Sequence, residues 1–369
     1  MRKHWLDNLR WVTVLLVLLY HVFYFYNNKG VFGGIGGFGG RQPQDAVMYI
    51  LYPWIMILLF LVAGISSRYY LENHTGREFF RARTLKLLVP STVGLLVFQW
   101  MTGYFNTQIA AHVQETTLLP EGIPAVGKYL AWCVSGIGPL WFIQDLWVFS
   151  LILLLVRRLD RNDKCYNACG KMDIWVLILL VIPVYLAAFT LIRDPRPESA
   201  DGLYNLYKPV YYLIPFLLGY FVFSHEEIQD TLSQIALVYL IPAAFGCGLS
   251  LVLRSFGKDN SSPQYLLNPV NAFYAWLMVL ALIGSFKKWF DKTSPFATWM
   301  TRSSFGIYVV HYLVIASLGY MMKVYTAIPP FAQYLILGLA VFTLSPALYE
   351  LIRRIPVLRW CVLGISRKQ

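Results

Sequence analysis

Apolar residues in this chain come in long runs, not in the spaced pattern of helices with one wet face. Runs of about 17 to 22 mostly apolar residues, enough to cross roughly 30 Å of hydrocarbon as helix, recur with charged or Gly/Pro-rich breaks between them. Ten such runs predict membrane spans near residues 9–26, 46–66, 85–105, 140–156, 174–192, 207–223, 233–253, 268–286, 303–322 and 331–352. The expectation is an all-α, polytopic integral membrane bundle of about ten helices. The first run ends in Phe23-Tyr24-Phe25-Tyr26 with no small-x-small cleavage site, so it reads as a retained helix with an aromatic belt.

Composition removes the soluble alternatives. Of 369 residues 57% are hydrophobic and 14% charged, with a mean hydropathy of +0.54, which leaves too little polar surface for soluble domains. Five scattered cysteines cannot form a disulfide framework. The net charge of +12 would suggest nucleic acid in a soluble chain, but here it follows sidedness. With ten spans both termini share a side. That side holds 22 of the 31 Lys and Arg residues, in the N-terminus, the loops after spans 2, 4 and 8, and the C-terminal tail. Both termini are therefore expected in the cytoplasm. The acidic stretch of Glu226, Glu227 and Asp230 falls on the same side, but acidic residues count for little in this rule.

Several motifs have plain readings. Gly34, Gly36 and Gly39 match G-x-G-x-x-G, but no strand precedes them and no βαβ unit surrounds them, so residues 30–40 read as a flexible extracytoplasmic loop, a candidate to move over an entrance. Cys165 and Cys169 fall in a cytoplasmic loop where thiols stay reduced and no partner pair completes a zinc site, so they read as structural and no metal is expected. The long connection 107–139 carries a second apolar stretch, Tyr129 to Val134, suited to dip into the membrane or lie on it.

The candidate chemistry lies on the spans. Arg10 and His21 are eleven positions apart on the first, which is about 1100° of rotation, or three turns plus about 20°, and a rise of about 16 Å. Both therefore share one face, with Val14 and Val17 between them. Ionisable residues at membrane depth are functional candidates by default, against the plainer reading of a snorkelling Arg and a hydrogen-bonded His. Asp145 on span 4 and His311 on span 9, with Tyr308 one turn before it, lie at membrane depth too; each suits either an orienting role or a structural hydrogen bond. Arg77, Arg81, Arg83 and Lys86 before span 3 satisfy sidedness, and also suit a phosphate seat at the mouth of a membrane cavity.

Taken together these residues resemble the membrane acyltransferase-3 family. Leu6-Asp7-Asn8-Leu9-Arg10 followed by His21 is similar to its R-x10-H signature, and the likeness continues through Phe60-Leu61-Val62-Ala63-Gly64, the run Arg81 to Lys86 with Leu88-Val89-Pro90, Leu140-Trp141-Phe142, and Gly306 to His311. The resemblance implies O-acyl transfer, of acetyl, succinyl or longer groups, from cytoplasmic acyl-CoA to a hydroxyl of an envelope carbohydrate or similar acceptor, commonly across the bacterial cytoplasmic membrane. It implies Arg10 and His21 as the essential pair and the run Arg81 to Lys86 as a coenzyme A phosphate contact; Arg77 as a further contact, and Trp141, Tyr308, Asp145 and His311 as supporting residues, are expected from the reading of the spans themselves. No permanently bound cofactor and no nucleic acid partner are implied. Pro139 stands where many members have His, so no role transfers to that position. The chain stops at Gln369 without an esterase-like domain, so a single membrane domain over 1–369 is expected. A proton-coupled transporter or flippase would also use intramembrane His, Asp and Arg, but lacks a repeat here. A non-catalytic scaffold would not need Arg10 and His21 aligned, and a small-molecule acceptor remains open within the enzyme class.

Overall fold

In a computed structural model the described residues are helical wherever they are regular. The structure describes residues 3–27, 34–39, 42–114, 122–191, 209–255 and 268–366. The helices are α1 His4–Phe25, α2 Pro43–Asn73, α3 Gly76–Val113, α4 Ala125–Ser135, α5 Gly138–Leu159, α6 Lys164–Cys169, α7 Ile174–Ala187, α8 Val210–Phe221, α9 Glu226–Arg254, α10 Pro269–Trp289, α11 Pro295–Tyr325, α12 Pro330–Arg354 and α13 Pro356–Leu363. Among the described residues eight of these, α1, α2, α3, α5, α9, α10, α11 and α12, are long and apolar enough to cross a membrane. The shorter α7 and α8 are also apolar and stand where two further spans were expected. This is a polytopic membrane protein.

The chain divides into two compact units. The first comprises Met1–Thr13, Tyr49–Phe80 and Val148–Thr301. Small residues let its backbones approach closely, as membrane helix packing requires where no hydrophobic force separates helix from lipid. A Cβ on Gly64 would fall 2.0 Å from the Phe216 carbonyl oxygen, and one on Gly219 2.1 Å from that of Leu61. Polar ties add register: Tyr274 donates its hydroxyl to the Ile50 carbonyl, and Trp276 its indole N–H to that of Leu177. Asn8 reaches the carbonyls of Phe290 and Lys292, both at 2.7 Å, and so fixes the start of α1 against the end of α10.

The second unit comprises Val14–Met48, Arg81–Trp147 and Arg302–Gln369. Here α3 contains two π-helical turns, Thr84–Leu88 and Leu95–Gln99, a widening common at functional sites. The apolar stretch around Tyr129 to Val134 is helix α4, docked along α3. A Cβ on Gly103 would lie 1.7 Å from the Trp132 carbonyl oxygen, so glycine is obligatory there. Gln99 ties α3 to α11 through the Val309 carbonyl at 2.7 Å, and Gln144 ties α5 to the Ser91 carbonyl of α3.

Candidate active site

The second unit gathers a cluster of rings around His21. His311 is wholly buried, while His21 is only half-buried. Nε2 of His311 lies 3.1 Å from Nδ1 of His21, and Nδ1 of His311 lies 2.5 Å from the Tyr308 carbonyl oxygen. That carbonyl only accepts, so Nδ1 of His311 carries the proton of its bond and Nε2 of the neutral ring is an acceptor. Nδ1 of His21 is then the donor across the pair. His21 also bonds the Val17 backbone carbonyl one turn before it; with Nδ1 the donor to both, Nε2 of His21 is a lone-pair nitrogen, the form a general base requires.

The rings of Tyr20, Tyr24 and Tyr312 surround His21, with centroids at 5.3, 6.0 and 5.3 Å. The Tyr308 hydroxyl donates to the Pro139 carbonyl, and Phe142 packs edge-on against Tyr308. The position where the sequence departs from the family pattern thus contributes a carbonyl, which no other residue type would be needed to supply. Tyr24 was accessible to sequence reasoning, being one turn beyond His21 on the same helix. Tyr20 and Tyr312 carried no signal of their own.

Two expected roles for Asp145 separate here. No hydrogen bond joins it to His21; its Oδ2 is buried and has no hydrogen-bond partner among the described residues. The groups that hold the His21 imidazole are His311 and the Val17 backbone carbonyl. Trp141, half-buried, opens the regular part of α5 beside Leu140.

Arg10 stands on α1 with His21, eleven residues earlier, and its guanidinium pairs with Asp7 at 2.8 Å. Val14 and Val17 between them are buried. In the basic run, Lys86 donates to the Leu363 carbonyl at 3.4 Å and sits 4.3 Å above the Phe305 ring. The chain at Gly364 crowds that turn, since a Cβ there would fall 2.4 Å from the Leu85 carbonyl oxygen. Arg81 is exposed and Arg83 half-buried.

Arg77 belongs to a different neighbourhood, in the first unit. A cavity of about 560 Å³ is lined by Gly76, Arg77, Phe80 and Leu154 together with Arg157, Arg158, Asp160, Arg161 and Asp163. The arginines after α5 had been read for sidedness alone; only packing brings them to Arg77. Close by, Arg68 pairs with Asp163 at 2.9 Å and stacks 3.6 Å over the Tyr166 ring, whose other neighbour is the stacked imidazole of His225. Asp160 accepts the backbone N–H groups of Cys165 and Tyr166, which holds its carboxyl below the usual carboxylate range. Burial pushes the Cys169 thiol up to about 11. Among the described residues no group of His, Cys, Asp and Glu is placed to hold a metal.

The glycine-rich loop is described over residues 34–39; the rest of 30–40 lies outside the described residues. That part is anchored. Ile35 donates to the Phe25 carbonyl at 2.8 Å, and Lys323 bonds the Gly37 carbonyl while lying 3.6 Å over the Phe38 ring.

A family model described as an acyltransferase domain matches residues 3–350. No curated protein and no solved structure matches the chain.

Proposed function

The chain belongs to the membrane acyltransferase-3 family and is a membrane acyltransferase; on that premise we propose that it moves an acyl group from acyl-CoA to a hydroxyl of an envelope carbohydrate, with His21 as the general base. The observation that carries this is the oriented imidazole pair: a half-open His21 whose Nδ1–H is held by a buried His311.

Nε2 of His21 takes the proton of the acceptor hydroxyl as its oxygen attacks the thioester carbonyl carbon. The tetrahedral intermediate collapses, the C–S bond breaks, and the departing sulfur receives the proton from His21, giving the ester and free coenzyme A. The imidazolium formed in between is stabilised by the lone pair of His311 Nε2, a neutral counterpart of the carboxylate that orients a catalytic histidine elsewhere. Arg10 positions the donor or offsets the charge that develops on the carbonyl oxygen. Arg81, Arg83 and Lys86 contact the donor's phosphates. Asp145, Tyr308 and Trp141 shape the surroundings. Attack by His21 itself, giving an acyl-imidazole, is the competing route.

The same reading places the protein in the bacterial cytoplasmic membrane with ten spans and both termini inside, working as one membrane domain over 1–369 on an acceptor that approaches from outside. The apolar helices α7 and α8 supply the two spans beyond the eight long ones, and the one-sided distribution of Lys and Arg supports the orientation. The acyl group is of acetyl or succinyl class. Acyl transfer by purified H21A and R10A proteins tests the assignment: loss of turnover is expected in both, and wild-type turnover in both would remove it.

A further inference from the structure

The cavity around Arg77 collects charge from two separate stretches of chain. We propose that it is a binding site for a phosphate-bearing anion, built from Arg77, Arg157, Arg158 and Arg161.

Its walls are tied by hydrogen bonds. Thr75 and Glu78 form a reciprocal cap at the start of α3, with the Thr75 N–H donating to Glu78 at 2.8 Å and the Glu78 N–H to Thr75 Oγ1 at 3.3 Å, and this fixes the turn that carries Arg77. Gly76 lets that turn approach α5, since a Cβ would lie 3.3 Å from Leu154. Arg157 is steadied by the Leu71 carbonyl at the end of α2.

Its charge is not balanced from within. Asp163 is committed to Arg68, through Nη1 at 2.9 Å and Nη2 at 3.3 Å. Asp160 turns its two oxygens to the backbone amides of Cys165 and Tyr166. With Arg68 and Asp163 paired off, four guanidinium groups face one remaining carboxylate. Among the described residues the side chains of Arg77, Arg158 and Arg161 make no ion pair or hydrogen bond. Sidedness accounts for basic residues after α5, but it does not require them to converge with Arg77 on one concavity. A cleft lined by one sign of charge concentrates the opposite ion, and guanidinium forks match phosphate oxygens two at a time. The volume, about 560 Å³, is that of a small-molecule site and accommodates more than a single phosphate.

Two sources present this chemistry on the side proposed as cytoplasmic. One is the phosphorylated nucleotide end of the acyl-CoA donor, which rests on the function proposed above; the other is the headgroup of an anionic phospholipid. Both are separable by experiment on the purified full-length chain in neutral detergent, with binding read without turnover. Coenzyme A affinity is measured calorimetrically, and stabilisation by short-chain phosphatidylglycerol by thermal unfolding. The proteins are wild type, R158Q/R161Q, and K171Q as a neighbouring exposed charge outside the cavity. If the donor is the occupant, the double variant loses at least about tenfold in coenzyme A affinity. If a lipid is the occupant, coenzyme A binding is unchanged and the phosphatidylglycerol stabilisation disappears. An unchanged response to both ligands overturns the site, and so does an equal loss in K171Q, which would mean diffuse charge. An H21A protein that is inactive but binds coenzyme A normally keeps the failure of this site distinct from a failure of the catalytic assignment.

Discussion

His311 Nε2 and His21 Nδ1 face each other at 3.1 Å across 290 positions of sequence, with the buried ring bonded behind to the Tyr308 carbonyl and the other ring half-open in front. The buried histidine acts through the open one, so its loss is expected to affect the chemical step. His311→Leu should lower kcat by between about tenfold and a hundredfold with little change in KM, less than the roughly 10²–10⁴-fold loss in His21→Ala. His311→Gln, whose amide oxygen can still accept from His21, should recover part of the rate. Equal and full loss in Leu and Gln variants would reduce His311 to a packing role.

The Tyr308 hydroxyl is the partner of the Pro139 carbonyl. Tyr308→Phe leaves that carbonyl without its donor, for a cost of about 1 kcal/mol. The carbonyl of residue 308, which holds His311, survives the change. A lower thermal unfolding temperature with a rate well above that of His311→Leu is therefore expected; a rate as low as that variant's would make the hydroxyl itself part of the chemistry.

Gly103 and Gly246 make a matched pair for the helix packing. A Cβ at Gly103 would overlap the Trp132 carbonyl oxygen at 1.7 Å, whereas one at Gly246 meets nothing within 4 Å. Gly103→Ala should force α4 off α3, seen as poor recovery of monodisperse protein and a lowered melting point. Gly246→Ala should be neutral or slightly stabilising, because alanine is the better helix former.

The Asp160 carboxylate titrates below its ordinary range because it accepts two backbone N–H bonds. A depressed carboxylate contributes fully above its unfolded pKa of about 3.9 and loses that contribution as pH falls through the folded value. Amide exchange at Cys165 and Tyr166, taken relative to its intrinsic rate at each pH, should thus stay slow through neutral pH and rise only below about pH 4. Asp160→Asn should raise it at neutral pH; no change there would show that the loop is ordered without the charge.

Cys165 is exposed on α6 and reports the proposed orientation. With the other thiols replaced, a membrane-impermeant maleimide should label it in inside-out vesicles and leave it unlabelled in intact cells. Labelling in intact cells would reverse the topology.

Much of this was legible along the chain because it is local. Length and hydropathy fix where helices can cross a membrane, and the eight long apolar helices, with the shorter α7 and α8, stand at the expected runs. The 3.6-residue period places Arg10 and His21 on one face of α1 with no knowledge of anything around them. Sidedness of Lys and Arg is likewise a sum over segments. The motif of Gly306 to His311 marked His311 and Tyr308 but left their partners open.

What only the tertiary structure decided is which of these residues meet. Asp145 and His311 were equal candidates to hold His21, and packing chose His311, leaving a carboxylate oxygen of Asp145 buried without a hydrogen bond. The basic run looked like one group; Lys86 was drawn to the Leu363 carbonyl and the Phe305 ring, while Arg77 joined arginines eighty residues on. The physical reason is the same in each case. Periodicity and composition report the direction of a side chain from its own helix, whereas a contact depends on crossing angles and on where small residues such as Gly64 and Gly103 let backbones close, and these arise only when distant helices pack.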